Sequence, residues 1–255
     1  MTIHKTAIIE GDVNIGENVT IGPYAFISGK INIGANSMIG PYVQIEGSIN
    51  IGEGNQIFHS AYIGAPPQDE GYEGTETYVE IGKNNIIREF VQIHRGTKEG
   101  SVTRLGSDCF LMGGVHIAHN VKIGNSVIMA NYTALAGYVE IDDYSFVSGL
   151  SGFHQFTRIG KYAMIGGCSR ISKDCPPFMI VEGNPARIAG INVVGLRRRN
   201  FSSERRRAIK EAYRILFRSG KNMTQALNDL KSDEGNEDIN ELIRFIESST
   251  RGVTR

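Results

Sequence analysis

Six histidines, His4, His59, His94, His116, His119 and His154, give this chain side chains able to move protons near neutral pH. Two of them share the stretch Val115-His-Ile-Ala-His-Asn120. An imidazole acting as general base beside an N–H donor would serve acyl transfer: the base deprotonates a nucleophile, and the donor holds the oxyanion that follows. No G-x-S-x-G motif is present, so direct transfer is expected rather than an acyl-enzyme. Imidazole also binds zinc, but His116 and His119 are three apart and no Cys or carboxylate evidently converges on them. A second chemical resource lies near the end. Residues 197–218 hold nine bases against two acids, which suits phosphates or an acidic protein. No aromatic platform or base-reading motif accompanies them, so nucleic acid is not the expected partner.

The element that must position these groups shows in a period of six. Ile occupies 9, 15, 21, 27, 33, 39, 45, 51, 57 and 63, and an aliphatic or other large apolar residue resumes at 81, 87 and 93 and again from Leu105 to Ile171. All fall in one class modulo six. A helix repeats at 3.6 and a simple strand at 2, whereas a hexapeptide repeat marks a parallel β-helix. Gly follows the aliphatic residue at Gly16, Gly22, Gly34, Gly40, Gly52 and Gly64, and is expected to supply positive-φ corners, which accounts for 31 glycines in 255 residues. The pattern resembles the left-handed β-helix acyltransferases, whose prism has three flat faces and 18 residues per coil. That coil length puts His119, Gly137 and Gln155 in one column, with His154 beside Gln155 and Tyr138 one coil from Asn120. Residues 64–80 and 94–104 interrupt the repeat and read as loops ejected from coils, placed to present binding residues.

After Ile171 the hexad fails, and Cys175-Pro-Pro marks the exit. From Phe201 the spacing becomes helical, capped by Ser202 or Ser203 and ended by Gly220, with shorter helices opening near Thr224 and spanning roughly 236–247. Residues 229–247 carry seven acids against two bases. The expected fold is therefore a left-handed parallel β-helix over residues 1–190 followed by a small α-helical domain over 191–255. Lys plus Arg equals Asp plus Glu at 27 each, so whole-chain charge argues for no particular partner. No apolar run is long enough for a membrane span, and no signal peptide is evident. Three cysteines without C-x-x-C spacing favour reduced thiols in the cytoplasm.

Several stretches together, Pro67-Gln-Asp-Glu, Ile93-His-Arg-Gly-Thr, His116-Ile-Ala-His, Phe153-His-Gln-Phe, Gly166-Gly-Cys-Ser, Gly183-Asn-Pro-Ala and Gly195-Leu-Arg-Arg-Arg-Asn-Phe-Ser, resemble the UDP-N-acetylglucosamine O-acyltransferase family of lipid A biosynthesis over essentially the whole length. The resemblance implies His119 as general base and Gly137 N–H as oxyanion donor, with a 3-hydroxyacyl group delivered by acyl carrier protein to the sugar 3-position. It implies that Gln68 and Asp69 hold the sugar, reaching a neighbouring subunit's site, and that His116, His154 and Gln155 contact substrate. It further implies that Gly167 leaves room at the end of the acyl groove, and that Asn192, Arg198 and Arg199 bind the uridine diphosphate end. A homotrimer without metal or organic cofactor follows from the same likeness, with the acidic carrier meeting the basic face. Tyr138 stands where better-known members carry His, Asn120 where they often carry Asp, and Gly71 where some carry Lys. A nucleotide-amino-sugar N-acyltransferase, with a 3-amino acceptor or an acyl-CoA donor, is the near alternative. A zinc hydratase of the γ-carbonic anhydrase type and a non-catalytic scaffold are the alternatives from other classes.

Overall fold

A computed structural model describes residues 1–231 and 235–255; Asp233 and Glu234 of the acidic run lie outside the described residues. The hexad folds as a left-handed parallel β-helix, followed by helices at the C-terminal end. Ile9 pairs with Ile27 and Ile27 with Ile45, so a coil takes 18 residues (27 − 9). The same step recurs between Ile123, Ile141 and Ile159. Hexad aliphatics point inward, and Ile27, Ile45, Ile57, Ile63 and Ile165 are fully buried. Each contributes about 1.5–3 kcal/mol relative to an exposed position. Alternate residues point out, as strand geometry requires.

Of the six glycines that follow a hexad aliphatic over residues 9–64, Gly64 takes the expected positive φ (84°), and the other five act differently. Left-handed corners are occupied mainly by larger residues three positions after the aliphatic one, among them Asn18 (φ 57°), Tyr42 (φ 56°), Asn120 (φ 60°) and Tyr138 (φ 60°). Asn tolerates this region; a Tyr there costs roughly 1–2 kcal/mol. Stacking between coils offsets part of that cost, as for Tyr24 on Tyr42 at 5.1 Å. Gly16, Gly22, Gly34, Gly40 and Gly52 instead lie where adjacent coils nearly touch: a Cβ on Gly34 would sit 2.4 Å from the Glu53 nitrogen. Close approach of backbone, not a positive φ, selects glycine there.

Where the repeat is interrupted, phase survives because the extra residues come in sixes. Ile51 pairs with Ile81, a step of 30 (81 − 51), and Ile81 with Leu105, a step of 24 (105 − 81). The ejected segments are shorter than the polar sequence suggests. Strands Tyr62–Ala65 and Tyr78–Ile81 take both ends of the first, and Gln92–His94 and Val102–Leu105 both ends of the second.

Beyond the last full coil, strand Met179–Gly183 still pairs in parallel through Ile165↔Val181, then turns back on antiparallel Ala186–Ile191. The sequence reading did not foresee this hairpin, nor the short helix α1 (Val193–Arg198) capped by Asn192. Helix α2 (Ser203–Arg218) starts as expected, the Ser202 hydroxyl accepting from Arg205 N–H. Helices α3 (Met223–Lys231) and α4 (Glu237–Glu247) follow. Basic α2 and acidic α4 join through a two-pronged Arg205–Asp238 pair, both bonds 2.8 Å. No helix among the described residues is long and apolar enough to cross a membrane.

Candidate active site

His119 follows inward Ile117 by two residues, on the rim of a corner that Asn120 turns. The corner stacks as the 18-residue coil requires: Tyr138 N–H donates to His119 O at 3.1 Å, and Phe156 N–H to Gly137 O at 3.2 Å. The imidazole packs against Gly137, where an added Cβ would stand 2.3 Å from His119 Cε1. Glycine is thus demanded by the ring above it. Among the described residues nothing accepts a hydrogen bond from the Gly137 N–H.

His119 is 5% exposed, and both of its ring nitrogens have neighbours. Nδ1 lies 3.0 Å from Asn120 Oδ1, and Nε2 lies 3.3 Å from Asp69 Oδ2. Asp69 comes from the first ejected segment of the same chain, so this segment folds onto its own prism, whereas the sequence likeness suggested a neighbouring subunit. Tyr138 packs edge-on against the imidazole at 5.4 Å and stacks on Phe156 at 5.0 Å.

Residues that the sequence reading left without a role complete the surroundings. Thr97, on the second ejected segment, donates to Asn120 Oδ1 through its N–H (3.1 Å) and its hydroxyl (3.0 Å). His94 Nδ1 lies 2.7 Å from the Pro66 carbonyl, its Nε2 is buried without a partner, and its ring packs 4.9 Å from His116. Burial pushes the His94 pKa down, against the opposing bond to Pro66, and nearby His119 adds to the fall. Burial, then His94, lowers that of His116. Both rings are therefore biased toward the neutral form. The only sequence signal for this segment is Ile93-His-Arg-Gly-Thr, a stretch noted for likeness rather than for any assigned chemistry.

The other expected residues divide between places. Gln68 is exposed beside Asp69, and Gln155 takes the next rung of the His119 column. His116 and His154 line one shallow groove with Phe153 and Arg170. Gly167 belongs to a different corner, in line with Asn131 and Gly149, and a Cβ there would meet nothing closer than 3.6 Å. Asn192, Arg198 and Arg199 line a cavity of 520 Å³ with Tyr144 and Tyr162, and that cavity shares no residue with the His119 site. Arg199 lies over the Tyr144 ring at 4.7 Å. The Asn192 amide is engaged at both ends, donating to Tyr162 O at 2.9 Å and accepting from Gly195 N–H at 3.0 Å. Asn192 therefore shapes the cavity, and the two arginines give it charge. No three His, Cys, Asp or Glu side chains among the described residues are grouped to hold a metal ion.

Comparison with known proteins agrees with this architecture. The family described as UDP-N-acetylglucosamine O-acyltransferase, domain 2, matches residues 174–254, and the bacterial transferase hexapeptide family matches 103–137. The acyl-[acyl-carrier-protein]–UDP-N-acetylglucosamine O-acyltransferase of Burkholderia orbicola is 47% identical over 99% of each chain. That of Aliarcobacter butzleri is 48% identical, covering 98% of this chain and 97% of its own. The structure of UDP-N-acetylglucosamine acyltransferase from Francisella novicida superposes with a TM-score of 0.96 at 38% identity, over 100% of this chain and 94% of that one. Repeat, fold and full-length likeness agree: this chain belongs to the acyl-[acyl-carrier-protein]–UDP-N-acetylglucosamine O-acyltransferase family.

Proposed function

We propose that the chain transfers a 3-hydroxyacyl group from acyl carrier protein to the 3-hydroxyl of UDP-N-acetylglucosamine, the first step of lipid A biosynthesis. The observation that carries the mechanism is the His119 ring packed against Gly137, so close that no Cβ fits between them, with the Gly137 N–H left open beside the base. Nε2 takes the proton of the sugar 3-hydroxyl as its oxygen attacks the thioester carbonyl. The Gly137 N–H holds the resulting oxyanion. Collapse breaks the C–S bond, and the departing thiolate takes the proton back from His119. Asp69, beside Nε2, marks the side from which the acceptor arrives, with Gln68 next to it. His116, His154 and Gln155 contact substrate along the adjoining groove, and Gly167 bounds the far end of the acyl path.

Arg198 and Arg199 are read as the diphosphate site, with Tyr144 beneath the uridine end. Because this cavity and the His119 corner are separate in one chain, we read the active unit as a homotrimer with sites completed between copies. Exposed Tyr24, Tyr42, Tyr132 and Leu150, repeated along one corner, supply an apolar seam for it. Arg207 and Lys210 on α2 have no ion pair among the described residues and would meet the acidic carrier. Residues 1–190 form the catalytic domain in this reading and 191–255 the docking domain. Three unpaired cysteines accord with the cytoplasm, and the reaction needs no cofactor.

One observation favours a second acceptor. The group behind His119 is the neutral amide of Asn120, which assists a proton-abstracting imidazole less than a carboxylate would. An amine is the better nucleophile and needs less help, so a 3-amino sugar giving an amide fits this site. Competition between UDP-N-acetylglucosamine and its 3-amino analogue, with a ladder of hydroxyacyl carrier proteins, separates the two. His119→Ala is expected to fold normally and lose roughly 10²–10⁴ in kcat; undiminished turnover overturns the mechanism.

A further inference from the structure

We infer that residues 94–97, His-Arg-Gly-Thr, are the positioning element of this site and act on His119 through the groups at both ring nitrogens. The inference rests on His119 being the base. An amide oxygen only accepts hydrogen bonds and an amide nitrogen only donates. Thr97 presents a backbone N–H to one end of the Asn120 amide at 3.1 Å, which identifies that end as the oxygen. The Thr97 hydroxyl gives the same oxygen a second hydrogen at 3.0 Å. His119 Nδ1 faces this oxygen too, at 3.0 Å, so Nδ1 carries the proton and Nε2 keeps the lone pair that abstracts one. Tyr138 OH, 3.4 Å from Thr97 Oγ1, can donate to a hydroxyl whose own hydrogen is already committed to Asn120. Tyr138, Thr97, Asn120 and His119 Nδ1 are consistent in this direction, while Nε2 faces the Asp69 carboxylate at 3.3 Å, which would hold the proton that Nε2 takes up.

At the other nitrogen the same segment holds Asp69. His94 grips the Pro66 carbonyl at 2.7 Å, and Arg95 N–H donates to Ala65 O at 3.1 Å. The Arg95 guanidinium donates to Gly64 O at 2.7 Å and to the Tyr72 hydroxyl at 3.2 and 3.3 Å. Gln68 and Asp69 are thereby tied down on both sides, three residues before Tyr72 and two after Pro66. A segment that merely closed an insertion would leave the imidazole tautomer and the acceptor affinity unaffected.

The test uses the full chain labelled with ¹⁵N-histidine, at a pH where the ring is neutral. The ¹⁵N shifts of His119 are expected to report protonated Nδ1; finding Nε2–H in the native chain overturns the inference outright. Thr97→Val is expected to mix the tautomers and lower kcat about 10-fold with KM within about twofold, and Thr97→Ser to restore both. Arg95→Leu is expected to raise KM for the acceptor sugar about 10-fold with kcat within about threefold. Unchanged tautomer and kcat in the valine variant, or no rescue by serine, sinks the idea. Should the valine variant not fold, Asn120→Asp serves: its carboxylate accepts the same donors, so Nδ1–H must persist. His119→Ala is run alongside. Full turnover in that variant fails the base assignment, whereas an inactive His119→Ala beside a native-like Thr97→Val fails only the positioning role.

Discussion

At the corner of Ser126, Tyr144 and Tyr162, and at that of Asn120, Tyr138 and Phe156, the turn residue is left-handed throughout, with φ between 55° and 66°. In both, aromatic rings stack between coils, at 4.9 and 5.0 Å. One residue earlier the two corners part. The first runs a side-chain ladder in which Ser107 N–H donates to Asn125 Oδ1 at 2.8 Å, and Asn125 N–H to Asp143 Oδ1 at 2.7 Å. The second has His119, Gly137 and Gln155 there, and no such closure of the Gly137 N–H. Backbone donors on a solenoid corner are obligatory groups in search of an acceptor. A side chain from the next coil closes the donor at the first corner, whose turn residues line the arginine cavity, whereas the donor at the second corner stays open among the described residues.

The contrast can be broken most severely at Gly137. Gly137→Ala puts a carbon 2.3 Å from His119 Cε1, so the ring must move. A displacement of this kind is expected to cost about 100-fold in kcat/KM with a near-native thermal midpoint. Gln155→Asp copies the ladder into the open corner, one coil above Gly137 as Asp143 is above Asn125. The introduced carboxylate is expected to occupy the Gly137 N–H and lower kcat roughly 10–100-fold, with little change in denaturant midpoint. Asp143→Ala does the reverse. It should lower unfolding free energy by about 1–3 kcal/mol while kcat/KM stays within about twofold.

An effect on stability that depends on pH belongs to Asp142, next to the ladder, where burial raises the carboxyl to about 6. A folded-state value above the unfolded one means the native chain binds the proton more tightly. Its stabilising contribution is therefore complete in acid and lost as pH rises from about 4 through 6. Asp142→Asn is expected to stabilise the chain by on the order of 2 kcal/mol at pH 8 and not at all at pH 3.5, as read from denaturant unfolding at both.

Much of the scaffold and one column of the site are legible from the hexad, because strict stacking turns a difference of 18 in sequence into contact in space. His119 over Gly137 follows from that arithmetic once the coil length is known. Asp69 against His119 and Thr97 against Asn120 do not, since both partners sit on segments that leave the repeat and carry no period to count. The glycines show the opposite failure: their spacing is plain, but composition cannot distinguish a left-handed turn from a place where two backbones nearly touch. Coil contacts at Gly34 and Gly52 are a property of neighbours, not of the residue alone. The hairpin after Met179 was hidden because its first strand keeps the coil's pairing while its second reverses direction.

That reversal limits assembly. A stack of parallel coils could in principle accept further rungs at its open end, from its own chain or from another. Strand Ala186–Ile191 presents the wrong polarity for a parallel rung, and Arg218 from α2 reaches over to occupy the Ile188 carbonyl at 3.3 Å. On this face of the prism, growth along the axis by further parallel rungs is thereby terminated at this end, so the edge offers no template for a fibre.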